Sequence, residues 1–321
     1  MLVRILRDCS YPDLRRQTPA GDGVWQGVTF TLDPVKECDL LIAVNPPNVD
    51  VRVRCPAGNR WLFTQESPIE QYRWHTDSFR HFDRIFTYWD KSHADGIVHA
   101  QTSLPWFLDK DYPELAALTL ADARKVKRDA VSWVTSNATH KPGHVLRMGF
   151  KAHLEREGFL FDLFGRGFTP IESKFDAIFP YKYSIAIENH SCDDYWTEKL
   201  ADCFLAWTVP IYWGAPNILK YFPARSMIRI DPHDGKTALK AIRQAIDHDH
   251  FATHVAAIAE ARDLVLNKYQ FFPNVLGLMK AYQVRPGAPR VPTFIPANPE
   301  HYKHETQAGR FKRLVKRALQ R

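Results

Sequence analysis

The chain of 321 residues is 45% hydrophobic and 25% charged, which is typical of a water-soluble globular protein with room for two domains. No apolar run is long enough to span a membrane, the N-terminus lacks the apolar core of a signal peptide, and the five cysteines fit no zinc or redox template, so a cytoplasmic location is predicted. The formal net charge is +7, but six basic and no acidic residues lie in 310–321, so the folded body is not expected to bind nucleic acid.

The first part of the chain alternates short apolar segments with polar stretches that contain Pro and Gly. Strands are predicted at 3–6, 39–44, 60–64 and 84–88, and residues 115–128 have a helical pattern that becomes increasingly charged. This order predicts an N-terminal α/β domain over residues 1–124.

A second α/β pattern follows and extends to residue 284. Strands are predicted at 131–135, 160–164, 183–187, 209–213 and 226–230, with a helix around Leu146, Phe150 and Leu154 and two more helices at 236–246 and 250–266. A C-terminal α/β domain is therefore predicted over residues 125–284, and residues 285–321 are predicted to be a Pro-rich connection and a basic tail.

The segment 181–214 is the most informative part of this second domain. A strand, a polar loop with Asp193 and Asp194 as candidate helix caps, a helix and another strand follow one another, which favours parallel strands. The helix is indicated by apolar residues at helical spacing, namely Trp196, Leu200, Cys203, Phe204 and Trp207.

Tyr195, Glu198 and Lys199 are spaced i, i+3 and i+4 in the first turn of that predicted helix, just after a strand. Ligands of open α/β sheets bind at such a position, where the free backbone N–H groups of a helix suit a phosphate. The lysine could neutralise a diphosphate and the glutamate could accept hydrogen bonds from sugar hydroxyls. A Glu–Lys pair on a solvated helix face is the alternative interpretation.

Three blocks in this segment resemble the donor-binding signature of glycosyltransferase family 10, the α-1,3/1,4-fucosyltransferases, including their bacterial members. The blocks are Ile187–Asn189 (IEN), Asp194–Leu200 (DYWTEKL) and Val209–Gly214 (VPIYWG), and a weaker match extends from about Trp61 to Asp231. The resemblance implies the GT-B architecture, in which two Rossmann-like parallel α/β domains face one another across a cleft. It also implies that the second domain holds the donor and that the first domain holds much of the acceptor.

The function implied by the resemblance is inverting transfer of L-fucose from GDP-fucose to a hydroxyl group of an oligosaccharide or lipid-linked glycan. An α-1,3 linkage to an acceptor containing N-acetylglucosamine, such as a lipopolysaccharide O-antigen, is expected. The family usually has an aromatic residue where this chain has Ser184, so another nucleotide-sugar donor stays an alternative.

Glu66, in the TQESP segment after a predicted strand, resembles the proposed catalytic glutamate of the family. A carboxylate there could take the proton from the acceptor hydroxyl. The alternatives are that Glu66 caps a helix entering at Pro68, or that Glu70 or Asp77 is the base.

Arg147 aligns with the phosphate-contacting arginine of the family, and Lys199 would supply the second positive charge. Two fixed cations on the leaving diphosphate would replace a divalent ion, so neither a bound metal nor a cofactor is predicted. The remaining donor-binding residues implied by the resemblance are Ser136, Asn137, Glu188, Asn189, Tyr195 and Glu198.

The basic tail Arg310–Arg321 has apolar residues at helical spacing and is predicted to lie on an anionic membrane surface, which would place the protein peripherally on the inner membrane face. A terminal helix docked against the body is the alternative. A non-enzymatic glycan- or membrane-binding protein, using the tail and exposed Trp74, Trp89 and Trp106, is a further alternative.

Overall fold

The computed structural model describes residues 1–7, 11–89 and 95–302, so the predicted tail Arg310–Arg321 lies outside the described residues. The chain forms two compact units. The N-terminal unit comprises the described residues within Met1–Ser10, Phe30–Val98 and Val284–Arg321, and the C-terminal unit comprises Tyr11–Thr29 and His99–Gln283.

In the described residues, strands precede the first α-helix at residue 112, and strands alternate with α-helices over residues 120–213. The strands are β1 (Leu2–Arg7), β2 (Val24–Trp25), β3 (Val28–Thr31), β4 (Leu40–Val44), β5 (Val51–Pro56), β6 (Arg60–Phe63), β7 (Arg84–Thr87), β8 (Ile97–His99), β9 (Arg128–Val134), β10 (Asp162–Phe164), β11 (Tyr181–Ile187), β12 (Val209–Trp213), β13 (Ile228–Arg229) and β14 (Arg290–Ile295). The α-helices are α1 (Tyr112–Ala117), α2 (Leu120–Val126), α3 (Pro142–Arg156), α4 (Lys174–Ile178), α5 (Glu198–Leu205), α6 (Gly235–Asp247), α7 (His250–Thr253), α8 (Val255–Leu264) and α9 (Phe271–Ala281).

The N-terminal unit is built on a sheet in which β1, β4, β6 and β7 are parallel neighbours in that order. Every residue of β4, with the sequence LLIAV, is buried, as expected of a strand covered on both faces. The predicted strands at 3–6, 39–44, 60–64 and 84–88 correspond to these four strands, with bounds that differ by at most one residue.

The C-terminal unit contains a sheet of strand order β10-β9-β11-β12-β13 in which every neighbouring pair is parallel. Along β11, Tyr183, Ile185 and Ile187 pack into one apolar cluster together with Phe150 of α3, whereas Ala186 packs into the cluster of α5 on the opposite face. This alternation buries the central strand between two helical layers and confirms the parallel β–loop–α–β prediction.

The compact units divide the chain differently from the predicted domains 1–124, 125–284 and 285–321. Residues 11–29 and 99–124 pack with the C-terminal unit because their apolar side chains are buried there. Trp106, Leu108 and Leu115 belong to the same buried cluster as Leu200 of α5. The boundary follows apolar burial and is not marked by any change in composition.

The Pro-rich segment after residue 284 is more ordered than a connection. Strand β14 pairs antiparallel with β5 along all six of its residues, from Arg290 opposite Pro56 to Ile295 opposite Val51. Ile295 is fully buried in the apolar cluster of the N-terminal unit. Burial of this side chain and the backbone ladder account for a strand where the sequence predicted an extended linker.

Lys127, which follows α2, joins the ends of two other helices in the C-terminal unit. Its ammonium donates to the carbonyl oxygens of Phe179 (2.6 Å), Tyr181 (2.8 Å) and Ala206 (2.9 Å) and to Oγ1 of Thr208 (2.7 Å). Because this group is withdrawn from water, its pKa lies well below the ordinary value for lysine. Phe179 and Ala206 are the C-caps of α4 and α5, so one side chain satisfies carbonyls at both helix ends.

We expect Lys127→Met to lower the free energy of unfolding by about 3 kcal/mol, because three carbonyls and a hydroxyl lose their donor. Urea denaturation followed by circular dichroism measures this change. Lys125→Met is the matched control, since Lys125 pairs with Asp122 on the exposed face of α2. Equal stability of the two variants would contradict the structural role of Lys127.

Candidate active site

A cavity of about 390 Å³ lies in the C-terminal unit, beyond the carboxyl ends of β9, β10 and β11. Its lining comes from the ends of these strands and the residues that follow them, from the first two turns of α3 and α5, and from α4, including Lys174 at its start. Ligands of open parallel sheets bind at this edge, where the loops of neighbouring strands converge.

The structure brings part of the predicted site together. The predicted residues that line the cavity are Ser136, Arg147, Asn189, Glu198 and Lys199. Three others, Asn137, Glu188 and Tyr195, are not among its lining residues. Glu66 belongs to the N-terminal unit.

Arg147 is a buried cation of α3 with an exposed fraction of 5%. Its guanidinium donates to Oδ1 of Asn189, whereas its Nε is buried without a hydrogen-bond partner. Among the described residues no carboxylate lies within ion-pairing distance of it. Burial lowers its pKa, and the negative charges of Glu188 and Glu198 oppose that effect only in part. A bound anion would supply the missing counter-charge.

The start of α3 is held tightly against the end of β11. A Cβ atom at Gly143 would overlap the backbone carbonyl oxygen of Asn189, so only glycine permits this approach. The contact places Arg147, one turn further along α3, beside the side chain of Asn189.

We expect Gly143→Ala to weaken the binding of a nucleoside diphosphate by at least roughly tenfold, because α3 must move away from Asn189 and carry Arg147 with it. Isothermal titration calorimetry with GDP measures the change. Gly149→Ala on the same helix is the control, since a Cβ atom there meets no atom within 4 Å, and it should raise stability slightly. Unchanged affinity in Gly143→Ala would show that this close contact does not position the site.

Helix α5 begins later than the sequence predicted. It starts at Glu198 and Thr197 is its N-cap, so Tyr195 precedes the helix. Neither predicted capping residue caps it: Asp194 has φ of 63° and accepts hydrogen bonds from Asn217 (2.9 Å) and Lys220 (3.0 Å). Trp196 lies outside the helix, but it packs in the same cluster as Leu200, which is why the apolar spacing looked continuous.

Glu188 supports the head of α5 from within the protein. It is fully buried, and its carboxylate accepts hydrogen bonds from the backbone N–H and the hydroxyl group of Thr197, both at 2.7 Å. Burial raises its pKa, while Lys199, 3.6 Å away, opposes the shift. Glu188 therefore supports the N-cap residue of α5 in this structure.

Glu198 of α5 lies between two lysines. Its Oε1 is 3.1 Å from Nζ of Lys199 and 3.8 Å from Nζ of Lys174. Burial alone would raise the pKa of Glu198, but the two ammonium groups hold it down at about 2. Glu198 is therefore ionised and able to accept hydrogen bonds from hydroxyl groups.

Lys174 and Asp202 are site residues that the sequence analysis missed. Nζ of Lys174 is 3.1 Å from Oδ2 of the fully buried Asp202, whose other oxygen accepts a hydrogen bond from the backbone N–H of Phe107 (2.9 Å). Burial raises the pKa of Asp202 to about 6, against the effect of Lys174. Burial lowers the pKa of Lys174, but the charges of Asp202 and Glu198 raise it above its usual value. The spacing of Asp202, four residues after Glu198, is the signal that could have identified it.

The remaining predicted donor residues occupy different surroundings. Asn137 is exposed, and its backbone N–H donates to the carbonyl of Arg166 (3.1 Å). Tyr195 is 2% exposed and its ring lies 6.5 Å from that of His190. Ser184 lines the cavity and its hydroxyl lies 3.0 Å from that of Ser132, so two small hydroxyl groups meet at this part of the sheet.

The lining of the cavity is positively charged. Four cationic residues stand against the carboxylates of Glu198 and Asp202, which leaves two positive charges in excess. Burial and the neighbouring Arg147 lower the pKa of the lining His144 to about 4, so its imidazole is neutral near pH 7. The four cationic residues are Arg147, Arg166, Lys174 and Lys199. This balance suits a diphosphate.

Glu66 follows β6 at the carboxyl edge of the sheet in the N-terminal unit. It forms a hydrogen bond with Tyr72, whose pKa is raised by burial and by the Glu66 carboxylate. The stretch Glu70–His81 is a 3-10 helix with Ile69 at its N-cap, so Glu66 does not cap it. Glu70 is exposed and pairs with Arg73 at 3.4 Å.

The metal, membrane and non-enzymatic predictions concern other parts of the described chain. Within the described part of the chain, no three His, Cys, Asp or Glu side chains are grouped as a metal site would need, and no helix has the length and hydropathy of a membrane span. Trp89 is 8% exposed and Trp106 is 2% exposed, so neither can form the exposed aromatic surface of the non-enzymatic alternative.

A cationic cavity at the carboxyl edge of a parallel sheet is typical of α/β units that bind nucleoside diphosphates, and two units with parallel sheets define the GT-B class of glycosyltransferases. A solved structure described as an alpha1,3-fucosyltransferase has the same fold, with a TM-score of 0.52, 17% identity and coverage of 93% of this chain and 92% of that chain.

A family model matches part of the C-terminal unit. Residues 124–254 match the C-terminal model of glycosyltransferase family 10 (fucosyltransferase), the family that the three sequence blocks resemble. The chain is 27% identical over 207 residues to human 4-galactosyl-N-acetylglucosaminide 3-alpha-L-fucosyltransferase FUT5, covering 61% of this chain and 50% of that protein. It is 29% identical over 154 residues to the alpha-(1,3)-fucosyltransferase FucT of Helicobacter pylori, covering 46% of this chain and 30% of that protein. The match thus spans half or less of these curated relatives.

Proposed function

We propose that the protein is an inverting glycosyltransferase that moves L-fucose from GDP-fucose to a hydroxyl group of a glycan. The observation that carries this proposal is the buried Arg147, which has no carboxylate partner among the described residues and lines one cavity with Lys199 in the segment that matches the family 10 model. A guanidinium in this state is an incomplete ion pair, and the diphosphate of a nucleotide sugar completes it.

Four of the predicted site residues have separate roles in the proposed transfer. Arg147 and Lys199 neutralise the departing diphosphate, and Glu198 accepts hydrogen bonds from the two ribose hydroxyls. Glu66 takes the proton from the acceptor hydroxyl as that oxygen attacks the anomeric carbon of fucose. The C–O bond to GDP breaks as the new bond forms on the opposite face, so the configuration at this carbon inverts.

The acceptor that we propose is a galactosyl-N-acetylglucosamine unit, because the name of the human relative specifies a 4-galactosyl-N-acetylglucosaminide. Attachment to position 3, within a lipopolysaccharide O-antigen, is the more specific form of the proposal. Since fixed cations line the cavity, we also propose that transfer needs no divalent metal and persists in EDTA. Cytoplasmic location and contact of Arg310–Arg321 with an anionic membrane stay predictions.

The test is incubation of the purified protein with GDP-fucose and a panel of galactose- and N-acetylglucosamine-containing oligosaccharides, followed by mass spectrometry. The expected result is an acceptor heavier by one deoxyhexose residue, in α linkage by NMR. Hydrolysis of GDP-fucose with no glycan product across the panel would contradict the proposed acceptor class. No binding of GDP would contradict the donor.

A different nucleotide-sugar donor is a second candidate, and Ser184 is the observation that favours it. Its buried hydroxyl pair with Ser132 leaves room on the cavity side of the sheet. A thermal-shift comparison of guanosine, uridine, adenosine and cytidine diphosphates distinguishes the donors. Preferential stabilisation by UDP would replace GDP-fucose with a uridine-linked sugar.

A further inference from the structure

Lys174 forms an ion pair with the fully buried carboxylate of Asp202. Asp202 has an exposed fraction of 0%, and it binds both Nζ of Lys174 (3.1 Å) and the backbone N–H of Phe107 (2.9 Å). The start of α4 is fixed as well, because Ser173 caps the helix and donates to the carbonyl of Leu108 (3.2 Å). The lysine therefore has a defined position on the cavity wall.

The two lysines beside Glu198 have different partners. The ammonium of Lys199 contacts Glu198 (3.1 Å), lies 3.6 Å from Glu188 and donates to the hydroxyl of Thr197 (3.2 Å). Lys174 contacts Glu198 (3.8 Å) and is tied to Asp202. A diphosphate entering the cavity would compete with Glu198 for Lys199, whereas Asp202 restrains Lys174 from following the phosphates. After binding, Lys174 would be the remaining counter-ion of Glu198.

We propose that Lys174 is a positioning residue, which orients the Glu198 carboxylate to accept hydrogen bonds from the vicinal hydroxyls of the nucleotide ribose, and that Asp202 acts through Lys174. This inference rests on the proposed function, since it needs a nucleotide in the cavity. Removal of Lys174 would leave the half-buried Glu198 carboxylate with Lys199 alone, which the diphosphate also attracts, so the hydrogen bonds to the ribose should weaken selectively.

The experiment compares GDP with 2′,3′-dideoxy-GDP by isothermal titration calorimetry. The unaltered protein should bind GDP at least about tenfold more tightly, since two charge-assisted hydrogen bonds distinguish the ligands. Lys174→Met should weaken GDP binding by about tenfold and leave dideoxy-GDP binding nearly unchanged, so the ratio falls towards one. Lys174→Arg should restore most of the preference, and Asp202→Asn should reduce it.

Lys182→Met is the matched control, because Lys182 pairs with Asp129 (3.5 Å) and Asp249 (3.0 Å) in the same unit but does not line the cavity. It should keep the full preference for GDP. Equal weakening of both nucleotides by Lys174→Met would make Lys174 a phosphate ligand and overturn the inference, and so would an unchanged ratio. If the Met variant does not fold, the ratio in the Arg and Asn variants decides the question. Failure of the unaltered protein to bind GDP contradicts the proposed function itself, which separates the two failures.

Discussion

Replacing Arg147 with methionine should reduce GDP affinity by at least about 100-fold and, in the absence of nucleotide, raise the melting temperature by roughly 2 °C. The two changes have one cause. The guanidinium is 5% exposed and makes no ion pair with the described residues, so the folded protein bears the cost of burying a charge. Methionine fills a similar volume without that cost, but its side chain has no positive charge and no hydrogen-bond donor for a diphosphate.

Calorimetry with GDP and thermal melts with and without GDP measure both effects. Arg156→Met is the control on the same helix, because Arg156 is exposed in its last turn and should change neither quantity. A variant with a lowered melting temperature and normal GDP affinity would assign Arg147 a structural role and remove the main support for the donor site.

Replacing Glu66 with glutamine should lower kcat for transfer by about 10²- to 10⁴-fold while GDP affinity stays within roughly twofold. The amide preserves the size of the side chain but cannot take a proton from the acceptor hydroxyl. Since Glu66 belongs to the N-terminal unit and the diphosphate cavity belongs to the C-terminal unit, loss of the base should leave nucleotide binding intact.

Steady-state kinetics with saturating donor and acceptor measure the change in kcat, and calorimetry measures GDP affinity. Glu70→Gln is the control, because Glu70 is exposed and paired only with Arg73 among the described residues. A larger loss of kcat in Glu70→Gln than in Glu66→Gln would move the proposed base to Glu70. A parallel loss of GDP affinity in Glu66→Gln would give Glu66 a structural role.

The strands of the C-terminal unit could be predicted because their signals are local. Segments such as 183–187 and 209–213 are short, apolar and rich in β-branched residues, and they form β11 and β12. The helix start was predicted three residues too early, because burial of Trp196 continues the apolar spacing into a non-helical loop. Apolar periodicity indicates which residues are buried, and here it continues from the helix into a loop that is buried as well.

The composition of the site was only partly predictable for a similar reason. Glu198 and Lys199 stand together in one recognisable block, whereas Lys174 meets Asp202 from a different helix, 28 residues away in the chain. Glu188 lies in a signature block, yet it supports Thr197 and is not among the cavity-lining residues. A motif identifies which residues matter, but the three-dimensional contacts decide whether a residue meets the ligand or holds another residue in place.

The pairing of β14 with β5 has a consequence for how the polypeptide is made. The N-terminal unit takes its last strand from Arg290–Ile295, and Asn298 adds a hydrogen bond to Ser78 (2.8 Å). The ribosome therefore synthesises all of the C-terminal unit before it releases the strand that pairs with β5 of the N-terminal unit. Newly synthesised chains would have to keep β5 unpaired and soluble until that moment, and a fragment ending before residue 290 would expose the same edge permanently.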